Sequence, residues 1–140
     1  MSRKVVDADA KKQGEAMPKP GDLVTVSWHS RSVSGSLHAN PDGSTGGFVA
    51  GTAQVEASVH MAPGTRVMDY GRVSGGVRML GNSMVYDHAT ISGDTVLFGG
   101  CEMHGNVVID HGNFYSGCNF STKRQVNAYL RRKERSGYRV

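Results

Sequence analysis

The residues of this chain best suited to chemistry are its histidines, two cysteines and a cluster of basic side chains near the C-terminus. Four histidines, His60, His88, His104 and His111, fall in the middle of the chain, and His38 sits beside the turn signal Asn40-Pro41-Asp42-Gly43. A zinc site needs at least three side-chain ligands converging about 2.1 Å from one ion. A histidine base needs a substrate proton within hydrogen-bond reach. Neither can be judged until the elements that carry these residues are known.

Those elements are written in the spacing. From Phe48 the chain divides into twelve consecutive hexads: FVAGTA, QVEASV, HMAPGT, RVMDYG, RVSGGV, RMLGNS, MVYDHA, TISGDT, VLFGGC, EMHGNV, VIDHGN and FYSGCN. The second place is apolar in every one, the fourth is Gly in seven and Asp in two, and the sixth is mostly small. Gly and Asp tolerate left-handed backbone angles, so each hexad reads as a short strand and a bend. A helical stripe of period six would drift off its face within a few repeats.

Residues eighteen apart also resemble one another, as they must if three hexads make one coil. One column reads Val49, Val67, Val85, Met103; the next Val55, Val73, Ile91, Ile109; the third Met61, Met79, Leu97, Tyr115. The small places sort likewise into Ala53, Gly71, Ala89, Val107, then Val59, Val77, Thr95, Asn113, then Thr65, Ser83, Cys101, Asn119. Like side chains stacked one strand spacing apart, about 4.8 Å, are what a parallel coil requires. Asn113 and Asn119 at inward places mark the end of the stack.

This pattern resembles the hexapeptide-repeat family of left-handed β-helices, and more closely its V-x-G-x-A-x variant found in bacterial YdcK-like and phage-encoded proteins. The resemblance covers residues 48–119. It implies an all-β fold, a single left-handed parallel β-helix of about four triangular coils, and side-by-side association as a homotrimer. Being a resemblance of fold, it leaves function to the sites.

Four regions follow: a polar flexible arm over 1–21, leading strands and a loop over 22–47, the β-helix over 48–120, and a basic helix and tail over 121–140. Within the second, LVTVSW alternates like a strand, SVSGSL reads as a degenerate rung, and 38–47 as a protruding loop. In the last, Ser121 is the expected helix cap, and Val126, Tyr129 and Leu130 share a face able to close the open end of the prism. No apolar run reaches a membrane-spanning length of about 18 residues, and the N-terminal segment lacks the apolar stretch of a secretory signal. No membrane association is expected, and the expected setting is a virion assembled in a host cytoplasm, or otherwise the cytoplasm itself.

Set on this frame, the histidines scatter over four different hexad places, and only His88 and His104 share a face of adjacent coils. Gamma-class carbonic anhydrases of the family pair histidines five apart; His104 and His111 are seven apart, so neither a metal nor a cofactor is expected. Acyltransferases of the fold resemble longer chains with an extruded loop, which leaves His38, or His88 at a subunit boundary, as the only base for a reduced transferase; a surface histidine beside a turn is the plainer reading of His38. Cys101 is expected inward and Cys118 outward, hence unable to bond and both reduced.

Charge completes the reading. Residues 48–120 hold three basic against six acidic side chains, while 121–140 hold seven against one: Lys123, Arg124, Arg131, Arg132, Lys133, Arg135 and Arg139 against Glu134. This cluster suits an acidic protein surface or nucleic acid, although only Tyr129 and Tyr138 are at hand to stack on bases. The combination favours a non-enzymatic structural protein, a phage capsid decoration or cement protein or a tail-fibre piece. A small acyltransferase-like enzyme and an adaptor acting through the tail are the alternatives.

Overall fold

The computed structural model describes residues 5–7 and 19–135. Its body is a parallel β-solenoid of four turns. Each turn carries two- or three-residue rungs on three faces, and each rung hydrogen-bonds to the rung one turn on: Met68 N–H donates to Val85 O at 2.8 Å, Ser74 to Ile91 at 3.0 Å and Ala62 to Met79 at 2.8 Å. Arg66–Val67, Met84–Val85 and Glu102–Met103 stack on the first face, Gln54–Val55, Arg72–Val73 and Thr90–Ile91 on the second, and His60–Met61, Arg78–Met79 and Val96–Leu97 on the third.

The expected columns form the core. Met61, Val67, Val73, Met79, Val85, Ile91, Leu97, Met103 and Ile109 are buried, and Val49 and Val55 of the first turn are half-buried against the same cluster. Removing each such side chain from water stabilises the stack by about 1.5 to 3 kcal/mol. The bends need left-handed backbone. At Gly81, with φ of 61°, a Cβ would run into the Cα of Gly99 one turn away. Asp69 and Asp87 adopt the same region at φ of 53° and 57° and turn it to use: the Asp69 carboxylate accepts from Asp87 N–H at 3.1 Å, and Asp87 from Gly105 N–H at 2.9 Å.

The last turn departs from the eighteen-residue register. Its second-face rung is one residue short, so Leu97 pairs with Phe114 rather than Tyr115, Thr95 with Gly112, and Met103 with Phe120. Phe114 is fully buried, and Tyr115, expected in the core column, lies half-exposed on the outside. The same slip turns Asn119 outward, leaves Asn113 half-buried, and brings Cys118 into the interior where Asn119 was expected.

Ahead of the solenoid, β2 (Leu23–Trp28), β3 (Arg31–Ala39) and β4 (Thr45–Ala50) form an antiparallel meander, and β4 pairs in parallel with Arg66–Val67. SVSGSL is therefore an antiparallel strand and not a rung, since β3 reverses direction at both ends. The meander curls over the outer side of the first face: Val24, Val26 and Trp28 close a second core with Phe48, Ala50 and Met68, flanked by Met84 and Tyr86. The backbone of β1 (Val5–Asp7) adds in parallel to β2, and the rest of the expected arm up to residue 18 lies outside the described residues.

The segment expected as a protruding loop is mostly strand, and only Asn40–Ser44 turns away from β3 and β4. His38 and Asn40 are buried because they complete the unfinished edge of the third face. Asn40 Nδ2 donates to Met61 O at 2.9 Å and Asn40 Oδ1 accepts from Met61 N–H at 2.8 Å, so one side-chain amide stands in for a missing rung. Beside it, His38 Nε2 lies 2.6 Å from Val59 O and donates to it.

The C-terminal helix α1 (Lys123–Arg135) closes the opposite end. Its cap is Thr122 and not Ser121: Thr122 Oγ1 accepts from Gln125 N–H at 3.2 Å, while Gln125 Oε1 accepts from Ser121 and Thr122 N–H at 2.7 and 3.1 Å, a capping box. Val126 is buried, Tyr129 and Leu130 pack on the core, and Leu130 Cδ2 sits where a Cβ on Gly112 would come within 3.0 Å. Asn40→Ala, which strips both partners from Met61, is expected to lower unfolding free energy by about 2 to 3 kcal/mol in urea titration, whereas Asn82→Ala at an exposed bend changes it by less than about 0.5 kcal/mol.

Candidate functional site

In each rung the residues flanking the inward one face outward, and the three faces differ in what they place there. On the first face Phe48, Met68, Met84 and Tyr86 lie under the meander, and Arg66, Glu102 and His104 stand beside them. The second presents Gln54, Glu56, Arg72, Ser74, Thr90, Ser92 and Asp110, with Val108 exposed among them. The third carries on one flank an apolar ladder, Ala62, Leu80, Phe98 and Tyr115, all half-exposed, and on the other His60, Arg78, Val96 and Asn113. Register fixes the ladder: Ala62 N–H donates to Met79 O, Leu80 to Leu97 and Phe98 to Phe114, each one turn on. The Phe98 and Tyr115 rings stack with centroids 4.8 Å apart and planes within 15°. The same spacing of eighteen that sets the inward columns also separates Ala62, Leu80 and Phe98.

At the foot of this face Tyr115 N–H donates to Tyr129 Oη of α1 at 3.2 Å, so the ladder runs on into the basic helix. Lys123, Arg124, Arg131 and Arg132 are exposed on α1. Lys133 and Arg135 belong to the same helix, and Arg139 lies outside the described residues.

His88, His104 and His111 are each taken up in local structure, and His60 stands half-exposed on the third face. His88 stacks on Tyr70 at 5.1 Å between centroids, and His104 on Tyr86 at 4.8 Å with planes within 6°. His104 Nε2 donates to Asn119 Oδ1 at 2.7 Å, and His111 Nδ1 to the Asp110 carboxylate at 2.7 Å. That bond holds the Asp110 carboxyl below its ordinary range. His38, expected as a surface histidine beside a turn or else as the base of a reduced transferase, is instead buried with its Nε2 on the Val59 carbonyl, because it completes the strand edge there. Among the described residues no three His, Cys, Asp or Glu side chains come together as a group able to hold a metal ion. No helix among them is long and apolar enough to cross a membrane.

Burial raises the phenols of Tyr86 and Tyr129 and the thiol of Cys101. Tyr86 Oη donates to Glu102 at 2.8 Å, and burial, reinforced by that carboxylate, pushes its phenol well above the ordinary value of 10.0. Burial, reinforced by the neighbouring Cys118, pushes the Cys101 thiol from 9.0 up to about 12.

Compared with known proteins, the chain matches no family model, no curated protein and no solved structure. What stands on its own geometry is the β-solenoid of four turns.

Because Tyr86 and Cys101 stay protonated in the fold at pH values where the unfolded chain has lost those protons, the native state binds more protons there and stability falls as pH rises. Their contribution is whole below about pH 9 and declines through the range up to about pH 12. Urea midpoints measured across this range should fall, and Tyr86→Phe should flatten the part of the decline above the ordinary tyrosine value of 10.0.

Proposed function

We propose that the protein is a non-enzymatic structural module that assembles as a homotrimer through the apolar ladder of its third face. The ladder carries this reading. Ala62, Leu80, Phe98 and Tyr115 line one side of a rigid column whose first face carries the meander and whose second is polar apart from Val108. Threefold packing about an axis parallel to the column brings three such ladders together, burying apolar area that water otherwise meets. The absorption of His38, His88 and His104 into hydrogen bonds and ring stacks supports a scaffold over a transferase.

The setting that suits such a module is the one the rung pattern suggests, a phage-type relative of the left-handed hexapeptide-repeat proteins acting as a capsid decoration or cement protein or a tail-fibre piece. A rigid trimer presents three copies of α1 at one end, and Lys123, Arg124, Arg131 and Arg132 on each give that end a strongly basic rim. Such a rim fits an acidic capsid or tail surface by charge complementarity.

Light scattering on the purified chain should give three times its 15.0 kDa mass. Phe98→Asp should return a monomer with the circular dichroism of the parent; a monomeric parent sinks the proposal. Added to purified particles that lack it, the chain should bind with an affinity that falls steeply with salt, and Arg131→Glu with Arg132→Glu should abolish attachment while leaving the trimer intact. Equally steep binding to duplex DNA, with none to particles, would favour the adaptor reading instead.

A further inference from the structure

The two cysteines occupy the interior of successive turns at the same corner. The short rung places them seventeen residues apart: Glu102 pairs in register with Asn119, and Glu102 N–H donates to Cys118 O at 2.8 Å. Cys101 and Cys118 each immediately precede a residue of that pair, so one strand spacing, about 4.8 Å, separates their backbones. A disulfide spans Cα atoms about 4.4 to 6.8 Å apart when both Cβ vectors point the same way. Both side chains are buried, at 0% and 9% exposure, the Cys101 thiol donates to the Phe114 and Tyr115 carbonyls at 3.0 Å, and neither is bonded to another cysteine. The column they end begins with Thr65 and Ser83, so its two sulfurs lie in the last two turns, under the end that α1 closes.

We infer that Cys101 and Cys118 form an intramolecular disulfide when the protein meets a disulfide oxidant, sealing the last turn and its helical cap. With oxidised glutathione the exchange balances. The Cys118 sulfur, the less buried of the two, attacks the glutathione disulfide and releases one reduced glutathione. The Cys101 sulfur then attacks the Cys118 sulfur of the mixed disulfide and releases the second. Two thiol hydrogens leave the protein, one S–S bond forms, and glutathione takes up the two electrons. The bond closes one full turn covalently, so the end of the solenoid can no longer fray while Gly112, Phe114 and Leu130 stay packed. The chain would thus be openable at its C-terminal end in a reducing compartment and locked outside one. This holds whatever partner the protein has and does not depend on the trimer.

The test is to incubate the full-length folded chain with oxidised glutathione at mildly alkaline pH, then denature it without reductant and weigh it. The expected product has lost two hydrogens, carries no alkylatable thiol and yields on proteolysis one cross-linked peptide pair holding Cys101 and Cys118. Its Tm should rise by roughly 5 to 10 °C, reversibly with dithiothreitol, and Cys118→Ser and Cys118→Ala should show no such rise. Two free thiols after oxidation, a persistent glutathione adduct or a disulfide between chains would each overturn the inference. The peptide pair is read on the parent chain, so the outcome stands even if the variants fail to fold.

Discussion

Everything in this molecule depends on successive turns lying parallel and in register. Each inward side chain then meets its counterpart one strand spacing away, and each rung's N–H groups reach the carbonyls of the next turn. That single constraint selects Val, Ile, Leu and Met for the interior, allows only Gly or a self-bonding Asp at tight bends such as 69, 81 and 87, and carries every outward residue into a ladder with those one turn away. It also explains why one missing residue matters: shortening the rung after Ile109 exchanges Phe114 for Tyr115 and Cys118 for Asn119 across the wall of the solenoid.

A stack held this way has two raw ends, and each is closed with different chemistry. At the start, a side chain imitates backbone: the Asn40 amide pairs with Met61 as another strand would, and His38 takes the Val59 carbonyl. At the finish, an amphipathic helix fills the opening, seated on Gly112 and tied by Tyr129 to Tyr115. Closure of both ends covers strand edges that would otherwise pair without selectivity.

Much of this was legible. Period six gave the rungs and period eighteen the turns, because stacking repeats the same demand at the same place. The apolar face of α1 was equally plain from Val126, Tyr129 and Leu130. What misled was the last turn: Phe114 and Tyr115 are both apolar, so an unbroken count of six fits either residue, and the warning lay instead in two asparagines assigned to a dry interior. The outward ladder of the third face was also present in the spacing, but Leu80 and Phe98 acquire meaning only beside the covered first face. The helix cap fell one residue from its expected place because Ser121 and Thr122 are equally good hydroxyl caps until Gln125 chooses between them.

By itself, then, the amino-acid order determined a coiled parallel stack with a basic helix after it, since period and side-chain size are local properties that any repeating turn must satisfy. Which strand covers which face, that His38 and Asn40 finish an edge instead of leading a loop, and that Cys118 comes to rest against Cys101 were decided only in three dimensions. Each of these depends on a contact between residues far apart in sequence, or on a one-residue slip whose cost is set by what lies one turn away.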